Sequence, residues 1–446
     1  MSMTAGFPHT PSTSLEHDAR LTTADHSKIA PGEIAIGVVI GRASEYFDFF
    51  VYGIASVLVF PQVFFPFLTR LEGILAAFVI FSFAFIVRPF GTALFMTVQR
   101  RWGRAPKLTA ALFLLGTATA GIAFLPSYAT LGERAIILLA VFRCLQGLAT
   151  GGAWDGLPSL LALNAPPERR GWYSMLGQLG APIGFLLAGG LFLYLHTNLS
   201  ADDFSDWGWR YPFYVAFAIN VVALFARLRL VVTHEYTQLL EEGELYPIRA
   251  TTLIRQQGYN IFLGAFAALA SYALFHLVTI FPLSWLALQS TQSVDAILGV
   301  QIVGAFLGIL GTMASGWLAD HIGRRNTLGA LACLIGVFSL CTPWLLDGGT
   351  VAQDAFILIG FVLLGLSYGQ ASGTVTANFT RQFRYTGAAF TADFAWLFGA
   401  AFAPVIALSL SSRFGLGAVS VYLLSGVACT LLALRINRSL ELQTRD

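Results

Sequence analysis

Long apolar runs alternate with short polar segments along nearly the whole chain. A helix needs roughly 20 mostly apolar residues to cross a bilayer, and twelve runs are long enough. The pattern therefore predicts an all-α membrane protein with twelve transmembrane helices. The predicted spans are 33–60, 71–98, 107–126, 134–160, 171–196, 209–231, 259–288, 294–319, 326–346, 351–377, 386–411 and 415–436.

The longest polar link between runs divides them into two sets of six. We predict a six-helix bundle over 33–231, a cytoplasmic linker over 232–258 and a second bundle over 259–436. Residues 1–32 are polar and lack the apolar core of a signal peptide, which predicts a disordered tail. Residues 437–446 are predicted to form a second tail.

The two halves contain related segments. GTALFMTVQRRWGR at 91–104 aligns without gaps on GTMASGWLADHIGR at 311–324. The identical pairs are Gly91 and Gly311, Thr92 and Thr312, Gly103 and Gly323, and Arg104 and Arg324. Each copy ends the second span of its half. Two pseudo-symmetric six-helix bundles with a site between them are a known transporter arrangement.

Composition narrows the class of protein. Hydrophobic residues make up 56% of the chain and charged residues 11%, against about 25% charged in soluble domains. The net charge of +2 and the lack of a basic patch argue against a nucleic-acid partner. No motif for a nucleophile, phosphate loop, cofactor or metal ion is recognisable. We therefore expect no enzyme activity, no cofactor and no bound metal.

Basic residues are distributed unevenly between alternate loops. Ten lie after spans 2, 4, 8 and 10, whereas only four lie in the opposite loops and span ends. Positive residues favour the cytoplasmic side, which predicts that both termini are cytoplasmic. The ten are Arg100, Arg101, Arg104, Lys107, Arg169, Arg170, Arg324, Arg325, Arg381 and Arg384.

The first span contains charges that hydrocarbon does not favour. Arg42, Glu45, Asp48 and Tyr52 are three, three and four residues apart, so they lie on one face of a helix. Each charge costs about 2.5–3.5 kcal/mol at the bilayer centre, so this face is expected to line a cavity. Our hypothesis is that Asp48 carries a proton and that Arg42 and Glu45 form a supporting ion pair. The alternative is that these charges only fix helix packing, and Tyr52 is either a cavity residue or an interfacial anchor.

Two further arginines lie in the apolar runs of the first half. Guanidinium groups bind carboxylates in a bidentate manner, so Arg88 and Arg143 suggest a substrate with a carboxylate. Either arginine could instead neutralise Glu45, Asp48 or Asp155. Gln146 shares the helical face of Arg143 and could bind substrate or a neighbouring helix.

The second half offers fewer chemical groups. His276 in span 7 could bind substrate, although a lone intramembrane histidine is more often a helix contact. Asp393, about two turns into span 11, could take part in proton coupling or pair with an arginine of a cytoplasmic loop.

Six motifs resemble those of the major facilitator superfamily, and within it the metabolite:H⁺ symporters, which include permeases for α-ketoglutarate, citrate, shikimate and proline or betaine. SEYFDFFVYG resembles E-x-x-D-F-x-x-Y-G of helix 1, and FIVRPFGTALF resembles R-P-x-G of helix 2. RCLQGLATGG and ERRGWYS resemble the end of helix 4 and the loop after it. WGWRYPF resembles the start of helix 6, and GWLADHIGRR resembles the second cytoplasmic loop.

This resemblance implies a proton-coupled transporter in a bacterial inner membrane. Its expected partners are protons, a small metabolite and the lipid bilayer, and we expect it to be a monomer. It also implies a coupling role for Arg143, which adds to the coupling candidates Glu45, Asp48 and Asp393. Asp393 and His276 are not expected from the family pattern. The cytoplasmic gate would consist of Arg100, Arg101, Gly103, Arg104, Asp155, Asp320, Gly323, Arg324 and Arg325.

The sequence departs from the family pattern at the gate. Arg100 stands where the first loop usually has an acid, and Ala153 replaces the acid of helix 4, with Asp155 two residues further on. One possibility is that Arg100 pairs with Asp155. The alternative is that Arg100 only anchors the loop on the cytoplasmic side.

The sequence thus predicts proton-coupled uptake of a small organic acid or zwitterion by alternating access. Two alternatives stay open. GQLGAPIGFLLAGG in span 5 loosely resembles antiporter helices and would suit proton-driven export. The missing acids would suit a membrane sensor that keeps the fold but transports nothing.

Overall fold

The computed structural model describes residues 31–153, 165–231, 246–371 and 379–443, and within these ranges it contains helices and no strand. Six long helices form the described part of the first half. They are α1 (Pro31–Leu58), α2 (Arg70–Trp102), α3 (Arg104–Ala123), α4 (Glu133–Gly152), α5 (Arg170–Leu176 with Gly180–Asn198) and α6 (Tyr211–Val231).

Six further long helices form the second half, as far as the structure describes it. They are α7 (Ala250–Ala267 with Leu269–Gln289), α8 (Val294–Ile322), α9 (Arg324–Asp347), α10 (Thr350–Tyr368), α11 (Arg384–Ala395, Trp396–Ala400 and Ala403–Phe414) and α12 (Leu416–Gln443). Trp396–Ala400 is a π-helical turn. Within the described residues, ten of these twelve helices are long and apolar enough to cross a membrane by length and composition, and α1 and α6 are not among the ten.

Several predicted boundaries differ from the observed helices. Residues 250–258 belong to α7, so the predicted linker over 232–258 is too long at its end. The helix α12 continues to Gln443, where a tail was predicted from 437, and α1 begins at Pro31, within the predicted N-terminal tail. The rest of that tail, the first part of the linker, the predicted ends of spans 4 and 10, and Asp155 lie outside the described residues.

Within each half, a glycine allows two helices to pack closely, and the helices concerned are equivalent in the two halves. A Cβ on Gly91 of α2 would lie 2.3 Å from the Leu148 carbonyl oxygen of α4. A Cβ on Gly311 of α8 would lie 2.9 Å from the Val362 carbonyl oxygen of α10. Small residues allow such backbone contact between helices in lipid. The aligned glycines therefore serve the same packing in both halves.

The aligned loop glycines make a tight junction between helices. Gly103 separates α2 from α3 with a φ of 87°, and Gly323 separates α8 from α9 with a φ of 82°. This left-handed backbone favours glycine, which has no Cβ to clash. We call the side of the molecule with these two junctions the arginine-rich side, and the side where α5 ends and α8 begins the opposite side.

The helix α7 lies at the centre of the molecule. Residues 267–284 are all buried, and they are apolar on nearly every face, as expected of a helix that other helices surround. This position places His276 between the two halves.

Candidate functional site

Two arginines hold Glu45 near the centre of α1. Arg42 Nη1 lies 2.6 Å from Glu45 Oε2, and Arg227 Nη2 of α6 lies 2.6 Å from Oε1. The predicted Arg42–Glu45 pair is therefore formed. The sequence reasoning missed Arg227, although an arginine within an apolar run is itself a signal.

Asp48 has a different environment. The Thr119 hydroxyl of α3 lies 2.9 and 3.0 Å from the two carboxylate oxygens and donates to them. The Thr119 oxygen accepts from Gln146 Nε2 at 2.9 Å, and Gln146 Oε1 accepts from Arg143 Nη1 at 3.0 Å. A buried chain of three hydrogen bonds therefore connects Arg143 to Asp48, which has no ion-pair partner among the residues that the structure describes.

Aromatic rings surround Arg143. Its guanidinium carbon lies 4.1 Å from the centre of the Tyr52 ring and 4.7 Å from that of Phe81. Such contacts stabilise a cation that burial has removed from water. Tyr52 is fully buried and its ring packs on Arg143. It is not among the residues that line the central cavity described below.

Arg88 and Asp393 form an ion pair between the halves. Arg88 Nε of α2 lies 2.7 Å from Asp393 Oδ1 of α11, and the Thr92 hydroxyl donates to Oδ2 at 2.5 Å. Among the alternatives raised from the sequence, Arg88 could neutralise an acid of its own half and Asp393 could pair with a loop arginine. The structure instead pairs Arg88 with Asp393, and their roles in substrate binding and proton coupling stay predictions. The two residues are 305 positions apart, so no local spacing could have joined them.

His276 lies in a cage of aromatic rings. Its ring is stacked on Phe49 with the centres 5.2 Å apart, and Phe81, Phe275 and Trp396 lie within 6.1 Å. Neither ring nitrogen has a hydrogen-bond partner within the described part of the chain.

A cavity of about 50 Å³ lies between these groups. We call it the central cavity. Of the predicted site residues, Arg42, Glu45, Asp48, Arg88, Arg143 and Gln146 line it, whereas Tyr52, His276 and Asp393 do not. The lining is completed by Tyr46, Phe49, Ala84, Phe85, Leu115, Thr150 and Trp396.

Aromatic side chains that the sequence analysis did not single out close the central cavity. The hydroxyls of Tyr46 and Tyr368 are hydrogen-bonded across the two halves. Trp396, in the π-helical turn of α11, is stacked on Phe85 with the ring centres 5.6 Å apart. Such turns often occur at functional sites, but sequence periodicity does not reveal them.

Asp320 connects the halves on the arginine-rich side. Its carboxylate accepts hydrogen bonds from the backbone N–H groups of Gly171 at 2.6 Å and Trp172 at 3.1 Å, at the start of α5. An acid at a helix N-terminus interacts favourably with the free N–H groups there. Arg324 Nη2 donates to the Arg170 carbonyl at 3.4 Å.

The first loop makes a different connection at the equivalent place. The buried Lys107 ammonium donates to Gln99 Oε1 and to the Tyr385 hydroxyl of α11, both at 3.1 Å. Tyr385 also donates to Gln99 at 3.0 Å. Arg100 Nη2 donates to Thr97 of its own helix at 2.7 Å.

The other predicted gate residues differ in exposure and in hydrogen-bond partners. Arg101 is exposed and Arg104 is buried. Arg325 Nη2 donates to the Leu434 carbonyl at 2.8 Å. The suggested partner of Arg100, Asp155, lies outside the described residues, so that pairing stays a prediction. Across the described ranges, no group of three His, Cys, Asp or Glu side chains could hold a metal ion.

Comparisons with known proteins agree with this architecture. Residues 129–396 match the family model described as Major Facilitator Superfamily. The chain is 35% identical to the inner membrane metabolite transport protein YhjE of Escherichia coli, over 97% of this chain and 99% of that protein. It is 32% identical to the shikimate transporter of the same organism, over 88% and 91% of the two chains.

Solved structures match as well. The proton:xylose symporter XylE of E. coli aligns with a TM-score of 0.68 and 18% identity over 91% of this chain and 94% of that one. At this identity the match concerns the fold alone, with its twelve transmembrane helices in two bundles. The chain therefore belongs to the major facilitator superfamily, as its motifs predict.

Proposed function

We propose that the protein takes up a small carboxylate-bearing metabolite together with a proton, by alternating access. The observation that carries this proposal is Asp48, a buried acid whose described contacts include a hydroxyl but no cation. A buried charge without a partner is costly. Protonation of Asp48 therefore removes an unfavourable buried charge, whereas protonation of an acid that an arginine holds breaks an ion pair.

The contacts of Glu45, Asp48 and Asp393 support a division of roles. Two arginines hold Glu45, and Arg88 with Thr92 holds Asp393 between the halves. Removing the charge of either acid would leave a largely buried guanidinium group without its carboxylate partner, which is strongly unfavourable. Asp48 can exchange a proton without that penalty. We assign the proton to Asp48, and ion pairs that maintain packing to Glu45 and Asp393.

The substrate is proposed to bind at Arg143. The hydrogen-bonded chain through Gln146 and Thr119 would allow a carboxylate bound to Arg143 to influence Asp48. Relatives named as a shikimate transporter and a citrate-proton symporter carry carboxylates, which supports this class of substrate.

Contacts between the halves at both ends support alternating access. Asp320 connects the halves on the arginine-rich side, and His196 Nδ1 lies 2.5 Å from Asp295 Oδ1 on the opposite side. The central cavity, at about 50 Å³, has room for a few water molecules and not for a metabolite. Substrate would enter when one set of contacts breaks.

The membrane orientation is also a proposal. The excess of basic residues on the arginine-rich side favours the cytoplasm for that side, with both termini there. A relative named as an inner membrane protein supports the inner membrane. Since one chain supplies every group of the site, we propose that a monomer suffices.

The first experiment is transport in vesicles that contain a pH dye, with shikimate, citrate, proline and betaine added outside in turn. Acidification inside on adding one compound is expected for symport, whereas alkalinisation would indicate exchange.

Asp48→Asn is expected to abolish proton-driven accumulation and to retain exchange of labelled substrate. Asp347→Asn, at the exposed end of α9, is the matched control. Full proton-coupled accumulation by Asp48→Asn would overturn the assignment, and a flat response to every compound from folded protein would favour a sensor.

A further inference from the structure

Three buried polar groups in the middle of the molecule have unused hydrogen-bonding capacity. Arg143 Nη2, the Tyr52 hydroxyl and both ring nitrogens of His276 have no hydrogen-bond partner in the part of the chain that the structure describes. Buried polar groups are nearly always satisfied in folded proteins, so each exception requires an explanation. A ligand that binds between them would supply the partners.

Arg143 and His276 lie beside the same two phenyl rings. The guanidinium carbon of Arg143 lies 4.7 Å from the ring centre of Phe81 and 5.8 Å from that of Phe49. The ring centre of His276 lies 5.3 and 5.2 Å from the same two centres. Since both groups are this close to shared rings, one small molecule could reach both of them.

The central cavity shows where space would have to form. Arg143 lines the central cavity, whereas His276 lies behind its aromatic wall of Phe49, Phe85 and Trp396. The central cavity is too small for a metabolite, so it must enlarge when substrate binds. Enlargement through this wall would expose the unpaired imidazole to the substrate.

We propose that the substrate is a ring compound with a carboxylate at one end and a hydroxyl or oxo group at the other. This inference rests on the proposed function. The carboxylate would bind Arg143 Nη2, and the second polar group would hydrogen-bond to His276.

The rings between these ends explain why the body of the substrate would be cyclic. Aromatic side chains favour stacked and edge-on contacts with other rings. The imidazole of His276 is itself nearly parallel to Phe49, with an interplanar angle of 23°. The hydrogen bond to His276 would then distinguish ring carboxylates with a distal polar group from those without one.

The test measures binding of two matched pairs of ligands by calorimetry. The pairs are benzoate with 4-hydroxybenzoate, and cyclohexanecarboxylate with 4-hydroxycyclohexanecarboxylate. Wild type is expected to bind the hydroxylated member of at least one pair at least about tenfold more tightly. The ligand without the hydroxyl would leave the buried imidazole of His276 without a hydrogen-bond partner. His276→Phe keeps an aromatic ring and is expected to abolish that preference by weakening binding of the hydroxylated ligand only. His321→Phe, at an exposed histidine, is the matched control.

The outcomes separate this inference from the proposed function. Equal binding within both pairs by wild type, or a preference that survives in His276→Phe, would overturn the role of His276. Proton-coupled transport of citrate or proline with no binding of any ring compound would overturn the substrate class and leave the proposed function standing. A protein that moves no proton with any compound would fail on both counts.

Discussion

The two arginine-rich loops have the same backbone design and opposite chemistry. Asp320 and Arg100 occupy aligned positions, 220 residues apart, each shortly before a left-handed glycine. Asp320 uses its charge to bind the first turn of α5 in the other half. Arg100 bonds to Thr97 of its own helix, and buried Lys107 and Gln99 contact Tyr385 of the other half instead.

This difference shows which properties the internal repeat preserves. The glycines fix where one helix ends and the next begins, because the backbone there requires a positive φ. The connection between the halves depends on individual side chains, which can change without altering that backbone. We therefore expect the two loops to contribute unequally to closure of the arginine-rich side, with the larger contribution from Asp320.

The largest effect is expected from Asp320→Asn. The substitution removes the charge that accepts two backbone hydrogen bonds, and hydrogen bonds to charged groups contribute about 1.5–3 kcal/mol. Hydrogen exchange at the amides of Gly171 and Trp172 should rise by about tenfold or more. Asp347→Asn is the control. Unchanged exchange would show that Asp320 does not hold this side closed.

A smaller effect is expected from Tyr385→Phe. It removes the hydroxyl that connects Lys107 and Gln99 to α11 and keeps the aromatic ring. Hydrogen bonds of this kind contribute about 0.5–1.5 kcal/mol each, so exchange over residues 384–390 should rise only a few-fold. Tyr259→Phe, at an exposed tyrosine, controls for loss of a hydroxyl. An effect as large as that of Asp320→Asn would contradict the proposed inequality.

The sequence predicted the fold well because the bilayer limits the possible structures. Apolar runs of sufficient length have few alternatives to a transmembrane helix, and the aligned glycines indicated the repeat. Helix ends were less predictable. Residues 250–258 contain Arg255, Gln256 and Gln257 and are nevertheless helical, because a helix can continue beyond its apolar part.

The candidate site was predictable only where its partners are close in sequence. The spacing of Arg42 and Glu45 indicated an ion pair, which is formed at 2.6 Å. Thr119, which bonds to Asp48 from 71 positions away, has no distinguishing pattern in its own run, since threonine is also a common packing residue in membrane helices. The Arg88–Asp393 pair required knowledge of which helices face each other across the two halves.

The smallest effect is expected from Arg100→Asp, which makes the first loop resemble the second. An acid at this aligned position would be near the start of α11, where it could accept backbone hydrogen bonds as Asp320 does at α5. Because the Arg100 contact with Thr97 is local, little is lost, and exchange over residues 384–390 should fall slightly. Arg101→Asp, at the exposed neighbour, is the control. A strong loss of closure that Asp155→Arg restores would instead show that Arg100 pairs with Asp155, and the first loop would then also use charge to close the arginine-rich side.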